Sequence, residues 1–382
     1  MSHIRRRLFR LVADILVHLP KPRPVPHSPH VLHITPQYFS DESTIGGGER
    51  YPLELARAMA ELVPTVIVSF GRRRQSVALG KCNFEVYPVR RWHATRERPL
   101  SLRFLRQVLR ADLVHCHQFH YRSTVITILA ARLLRRPIFV TDLGGRSTSL
   151  SDSAGLLRFV CKFLNVSAFA AAWTKTELRS EVIYGGVDSH RFCPSSPPLV
   201  RDRFLFVGRL LPHKGIDTLI HAAGDDLPIT IVGRPYDEHY YQDLKLLAEG
   251  KQINFIVTAD DTQLRELYHK AIAIILPSVY TDMYGNQHPN AEYLGLTLLE
   301  GMACGAPAIC TAVGGMPEVV EDRVTGLVVQ PSDPMALRAA LLELWSKPEL
   351  AQAMGRRAVE RVREEFTWER VAERCLQAYH NC

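Results

Sequence analysis

The chain has 382 residues, 46% of them hydrophobic and 23% charged, which is enough for two well-filled domains and outside the composition of disordered, collagenous or membrane-spanning sequences. Its net charge of +8 is uneven: residues 1–198 carry 29 Lys+Arg against 14 Asp+Glu, and residues 199–382 carry 18 against 25, so the basic half asks for an anionic partner. No helix-turn-helix, zinc-finger or aromatic RNA-binding motif accompanies the arginines, which sets nucleic acid behind an anionic phospholipid surface or a phosphorylated acceptor.

Residues 1–28 form a basic extension in which Ile4, Leu8, Leu11, Val12, Ile15, Leu16 and Leu19 follow helical spacing, with Arg5, Arg6, Arg7 and Arg10 at the start. Such a stripe suits a helix lying in a lipid interface, or one packed on the protein itself. Asp14 and His18 interrupt the apolar run and no small-residue cleavage site follows, which argues against a signal peptide. No uninterrupted apolar run reaches the roughly 18 residues needed to span a bilayer, so membrane contact is expected to be peripheral, on the inner face.

From residue 29 to 194 the pattern predicts a first Rossmann-like domain. Val31–Thr35 reads as a buried strand, 36–48 as a loop containing Gly46, Gly47 and Gly48, and Glu49–Leu62 as a helix. Three glycines at that place let backbone amides approach an anion, although a mobile loop would look the same. Neither GxGxxG nor GxxxxGK(S/T) is present, which disfavours hydride transfer and P-loop chemistry. Further strands are expected at Val63–Phe70, Phe84–Val89, Leu113–Cys116, Ile138–Thr141 and Ala170–Thr174. They alternate with helical segments, as a parallel sheet requires. The run DLVHCHQFH places His115, Cys116, His117 and His120 close together. Strand alternation puts His115 and His117 on one face and Cys116 on the other, which opposes a metal site.

The Pro- and Ser-rich stretch Cys193–Pro198 reads as a linker, and from 195 to 366 the pattern restarts. Strands are expected at Phe204–Val207, Ile229–Val232, Ile253–Val257, Ala273–Leu276 and Ala308–Thr311. Arg209 follows the first of them and Lys214 stands five residues later at the mouth of a helix, so both can reach a diphosphate. In AEYLGLTLLEGMACGAP, Glu292 and Glu300 flank a loop-to-helix transition, with a helix over Thr297–Cys304 stopped by Gly305 and Pro307. The amides of Leu294, Gly295, Leu296 and Thr297 would then be open to an anion. Eight helical residues span about 12 Å, so the two carboxylates could serve opposite ends of one ligand, a sugar and a ribose. The eight cysteines are scattered without a CxxC pair, which suggests neither a zinc ribbon nor a disulfide framework and fits a reducing cytoplasm.

The run from Glu292 to Pro307 resembles the EX7E motif of retaining GT-B glycosyltransferases of family 4, E-(G/S)-F-G-L-x-x-L-E-A-M-A-x-G-x-P, with Tyr293, Leu294 and Gly301 departing from it. GGERYPLELARAMA, IYGGVDSHRFCP and VGRLLPHKG are similar to three further motifs of that family. The resemblance covers most of residues 30–380. It implies an α/β GT-B fold, two Rossmann-like doubly wound parallel-sheet domains facing across a cleft, with the final helix 367–382 crossing back onto the first.

The resemblance also assigns roles. Gly47, Gly48, Arg209, Lys214 and the Leu294–Thr297 amides would hold the donor diphosphate, and Glu300 the ribose. Glu292 would orient the donor sugar and stabilise its charge. Gly233 resembles a position that admits the nucleotide backbone, although Arg234 and Pro235 depart from the motif. Val257 would neighbour the base, and His117, on a strand similar to D-V-V-H-x-H, could meet the acceptor. Many relatives place a histidine where this chain has Leu143, so Asp142 is the nearest replacement, either accepting a proton or hydrogen bond from the acceptor or merely capping the following turn. Residues 279–291 exceed the usual short link and would overhang the sugar as a selector or lid, or simply form a surface loop.

No D-x-D occurs, so metal independence and the absence of any cofactor are expected. The implied partners are a nucleotide-sugar donor and a hydroxyl acceptor, lipid-linked or a polysaccharide precursor. A GT-B epimerase or phosphorylase, or a non-catalytic nucleotide-sugar-binding protein, would share these motifs.

Overall fold

The computed structural model describes residues 14, 16–36, 47–89, 101–119, 121–143, 155–174 and 179–382. It divides into two units, one of residues 1–184 with 368–382, the other of residues 185–367. Ile4, Leu8, Leu11, Val12, Ile15, the four leading arginines, Gly46 and His120 lie outside the described residues.

In the first unit, strands β1 (Val31–Ile34), β2 (Thr65–Gly71), β3 (Gln75–Leu79), β4 (Cys82–Pro88), β5 (Leu113–His117), β6 (Ile138–Thr141), β7 (Lys162–Asn165) and β8 (Ser180–Val182) form one sheet in the order β3-β4-β2-β1-β5-β6-β7-β8. Only the β3–β4 pair is antiparallel. The central strands are near-continuous apolar runs because helices cover both faces of a parallel sheet. VLHI in β1 and IFVT in β6 are buried at every position.

Two expectations fail here. Ala170–Thr174 is not a strand but lies in the helix Ala168–Thr174. Its sequence AFAAAWT is rich in alanine, the best helix former, and the Ser167 hydroxyl accepts from the Ala170 amide at 2.9 Å as an N-terminal cap. The strand that does follow β6 is β7, and β3, exposed along most of its length, carries no apolar alternation to announce it. The other correction concerns the cysteines: Cys161 and Cys382 form a disulfide with their Cα atoms 5.8 Å apart. A separation of 221 residues hides the pair from any local reading of spacing.

The helix Trp368–His380 belongs to this unit and packs on the helix Gly47–Leu62. The Trp368 and Tyr51 rings meet edge to face at 5.1 Å. Upstream of β1, Leu16 is buried in the same core, and the Arg132 guanidinium donates to the carbonyls of Leu19 and Pro20, both at 2.6 Å. The described end of the amphipathic extension is thus packed on the protein, which decides between its two readings for Leu16 and Leu19.

In the second unit, β9 (Arg203–Val207), β10 (Ile229–Val232), β11 (Ile253–Ile256), β12 (Ala271–Leu276), β13 (Ala308–Thr311) and β14 (Gly326–Val329) form an all-parallel sheet ordered β11-β10-β9-β12-β13-β14. Counted along the unit this is the 3-2-1-4-5-6 order of a dinucleotide-type fold, whose switch point lies between β9 and β12. Each fully buried Val, Leu or Ile on these strands contributes about 1.5–3 kcal/mol. β14 was not expected from the sequence.

Candidate active site

Ligands in open parallel sheets bind outside the carboxyl ends of the strands at the switch point, and the chain after β9 and β12 meets there. Gly208 and Arg209 follow β9, and a single 3-10 turn, Pro212–Lys214, leads into the helix Ile216–Ala223. Gly233 follows β10 at φ +155, and a Cβ on it would fall 1.7 Å from the Gly208 carbonyl oxygen. No other residue type fits that contact, so glycine here brings two strand ends together.

Lys214 and Glu292, 78 residues apart, form a close ion pair with their side chains only 12% and 14% exposed. Arg209 is exposed, its guanidinium over the Tyr236 ring at 5.7 Å. The helix predicted over 297–304 runs Leu296–Ala303, entered through Gly295 at φ +93 with no side-chain cap. Among the described residues none accepts from the amides of Gly295, Leu296 or Thr297. These donors carry the partial positive charge of a helix start. Leu294 is buried just before them.

Farther along that helix the Tyr268 hydroxyl donates to Glu300 Oε2 at 2.7 Å. Gly301, one of the departures from the family motif, sits where a Cβ would come within 2.7 Å of Ile274 on β12, so the missing methyl lets helix and sheet approach. Val257, just past β11, is exposed. The second unit therefore brings Arg209, Lys214, Glu292, Gly233 and the Leu294–Thr297 turn to the carboxyl end of one sheet. His213, beside Lys214, was not singled out from the sequence. Burial, and then the Lys214 charge, push its imidazole pKa down to about 3, so it is neutral at pH 7.

In the first unit, Gly47 and Gly48 open the helix Gly47–Leu62, which starts two residues before the predicted Glu49. His117 ends β5, fully buried, and its Nε2 lies 2.9 Å from Nδ1 of His33. His33 was overlooked because it stands alone in VLHI; only the parallel register of β1 with β5 sets it opposite His115. His115 Nδ1 shares a hydrogen bond with the Tyr379 hydroxyl at 2.7 Å, and its Nε2 one with Thr141 Oγ1 at 2.8 Å.

Ring nitrogens of the three histidines lie within 4.8 Å of one another, a spacing open to an ion. Both nitrogens of His115 already have hydroxyl partners. Among the described residues no carboxylate or thiolate joins the group, so a dication would sit dry and uncompensated. The cluster reads as a buried uncharged network, with burial driving all three imidazoles to the neutral form. Asp142 follows β6, 7% exposed.

Residues 196–361 match the family model "Glycosyl transferases group 1" and residues 46–193 the model "Glycosyl transferase 4-like domain". The chain is 36% identical over 167 residues to the D-rhamnosyltransferase WbpZ of Pseudomonas aeruginosa, covering 43% of this chain and 41% of that protein. It is 30% identical over 233 residues to a D-inositol 3-phosphate glycosyltransferase of Salinispora tropica, covering 53% and 46%. The chain thus spans about half the length of these curated relatives.

Among solved structures, Anabaena HepE in complex with UDP-glucose superposes with a TM-score of 0.72 at 16% identity, covering 93% of this chain and 100% of that one. A sucrose-phosphate synthase from Thermosynechococcus elongatus superposes with 0.70 at 21%, covering 92% and 98%.

Proposed function

Because the chain belongs to the family 4 glycosyltransferases and has the GT-B fold, we propose that it is a retaining enzyme moving a hexosyl unit from a nucleoside-diphosphate sugar to a hydroxyl acceptor. The observation that carries this reading is the Lys214–Glu292 pair beside Arg209 at the switch point of the second sheet. As the glycosidic bond breaks, negative charge builds on the departing diphosphate and positive charge on the anomeric carbon. Arg209, Lys214 and the amides of Leu294 to Thr297 meet the first; Glu292 meets the second.

Before the donor arrives Lys214 is held by Glu292. Diphosphate oxygens compete for that ammonium, and drawing it away leaves the Glu292 carboxylate free to face the developing cation. Glu300, which accepts from the Tyr268 hydroxyl, takes the ribose hydroxyls. Gly233 admits the nucleotide backbone, Val257 stands by the base, and the first amides of the helix at Gly47 and Gly48 offer further donors to phosphate. Attack from the face the diphosphate leaves, assisted by that phosphate, retains configuration. On the acceptor side Asp142 takes the hydroxyl proton or a hydrogen bond, and Asp142→Asn with unchanged turnover would remove that assignment. His117 is close-packed, so its part is to support the acceptor domain rather than to touch the acceptor.

HepE, a structural neighbour, holds UDP-glucose, which supports a nucleotide-sugar donor here. Two side-chain cations and helix-start amides are enough positive charge to work without a divalent ion. For the acceptor, a lipid-linked or polysaccharide precursor fits a protein that docks on anionic membrane. A surface groove of about 530 Å³ in the first unit supports that docking: its apolar wall includes Leu102, Leu109 and Leu133, and Arg103 and Arg106 stand among them. No helix among the described residues is long and apolar enough to cross a membrane.

The test is diphosphate release from a panel of nucleotide sugars, with and without a lipid extract and with EDTA. Turnover that needs an acceptor and survives EDTA is expected, and Arg209→Ala with Lys214→Ala should lower it at least about 100-fold. Full turnover in the double variant, or product formed with no acceptor, defeats the reading.

A further inference from the structure

Residues 279–291, between β12 and the helix Leu296–Ala303, fold around one buried carboxylate. Asp282 is 5% exposed. Its side chain accepts from the amides of Tyr284 and Asn286 at 2.9 Å, from Asn286 Nδ2 at 3.1 Å and from His288 Nε2 at 2.8 Å. The main chain closes the same loop: the Asp282 amide donates to the Asn286 carbonyl at 3.0 Å, the His288 amide to the Tyr280 carbonyl at 2.7 Å, and Thr281 bridges Gln287 antiparallel. A carboxylate with four donors holds a loop shut far more firmly than neutral contacts would.

Hydrogen bonds fasten the loop to elements outside itself. The Val279 amide donates to the carbonyl of His213, the residue before Lys214, at 2.9 Å. The Tyr284 hydroxyl bonds Asp243 on the helix Glu238–Leu247. The Tyr280 hydroxyl accepts from the Gly314 amide at 2.9 Å. Gly314, at φ +60, lies so close to Glu292 that a Cβ on it would fall 1.7 Å from the Glu292 carbonyl oxygen, and the Gly315 amide donates to that oxygen at 3.2 Å. One element therefore braces the chain on both sides of the Lys214–Glu292 pair.

We propose that Val279–Ala291 is a preformed clasp, not a lid that closes on binding, and that Tyr280 and Asp282 are positioning residues that set where Glu292 stands against the donor sugar. This rests on the glycosyltransferase reading above. Tyr280 acts through Gly314 and Asp282 by holding the loop that presents Tyr280. Neither need touch the donor. A misplacement of about 1 Å in a reacting group can cost on the order of 100-fold in rate, while loss of the Tyr280–Gly314 contact leaves the Val279–His213 contact on the Lys214 side in place.

The test uses Tyr280→Phe, which removes a single hydroxyl, and Asp282→Asn, which keeps the shape and loses the charge. Each is measured for kcat, for affinity toward the nucleoside diphosphate by calorimetry, and for amide hydrogen exchange over 279–295. The expected result for Tyr280→Phe is a fall in kcat of about tenfold or more, with diphosphate affinity within about twofold of wild type. Unchanged kcat in Tyr280→Phe overturns the proposal, as does a loss of kcat matched by an equal loss of diphosphate affinity, which is the mark of a merely structural role. If Asp282→Asn does not fold, Tyr280→Phe decides alone.

Exchange separates the two claims. A wild-type protein inactive on every nucleotide sugar, yet strongly protected over 279–295 with protection reduced in Tyr280→Phe, sinks the glycosyltransferase reading and upholds the clasp. Rapid exchange of that segment in the wild type defeats the clasp whatever the activity.

Discussion

Lys214 and Glu292 hold each other in a place where water has little access, and a charge pair of that kind is sensitive to any competing anion because neither partner is fully solvated. Tyr268 plays a quieter part. Fully buried, it donates its hydroxyl to Glu300 and so limits the carboxylate to one orientation. If Glu300 holds the ribose as proposed, Tyr268→Phe should raise the donor KM about fivefold with little change in kcat, because ribose contacts are made equally in ground and transition states. A kcat that falls in step with kcat/KM would place Glu300 in the chemistry instead. The position of Arg209 and Lys214 after β9, of Glu292 ahead of the helix Leu296–Ala303 and of Glu300 within it was legible in the sequence, because motif spacing is a property of neighbours along the chain. Their partners were not: Tyr268 and Tyr280 look like any aromatic residue until the fold brings them to a carboxylate and to the Gly314 turn.

The buried histidine array belongs to β1 and β5 together. His33, His115 and His117 are fully buried and neutral, His33 with its pKa lowered to about 3 and the other two also lowered, all chiefly by desolvation. The unfolded chain takes up these protons below about pH 6.5 and the folded chain does not, so stability falls as pH falls below that value and is unaffected above it. Three such rings imply a loss of roughly 4 kcal/mol per pH unit at most. Urea midpoints at pH 7.0 and 5.5 should therefore differ sharply in the wild type and less in His33→Asn. Parallel curves for the two proteins would mean that the array titrates in the folded state.

At this scale the sequence named most strands because fully buried parallel strands are continuous apolar runs. It missed β3, which is exposed, and the short strands β7, β8 and β14, and misread Ala170–Thr174, which lies in the helix Ala168–Thr174. The Cys161–Cys382 bond was out of reach for a different reason: it depends on where the last helix packs.

At the scale of the whole molecule, two of the basic residues of the first half, Arg103 and Arg106, line an exposed groove. The first unit carries the Arg103 and Arg106 groove with Leu102, Leu109 and Leu133 about 60% exposed, a combination suited to the interface of an anionic bilayer, where each Lys or Arg adds about 1 kcal/mol. The protein should cosediment with phosphatidylserine-containing vesicles at low salt and release at about 0.5 M, where charges are screened within a few ångströms. Leu109→Ser with Leu133→Ser should weaken binding, and equal binding by that variant would rule the groove out.

By itself the sequence determined the two doubly wound sheets, the family and the charged residues after β9 and around the helix Leu296–Ala303, since periodicity and motif spacing are properties of neighbours along the chain. Only the tertiary structure decided that Lys214 pairs with Glu292, that His33 joins His115 and His117, that Cys382 reaches Cys161, and that residues 279–291 close on Asp282. Three of those depend on strand register, helix docking or loop return between distant segments, which local pattern cannot encode. The last is local in sequence, but its four donors converge on one carboxylate only once the backbone has turned.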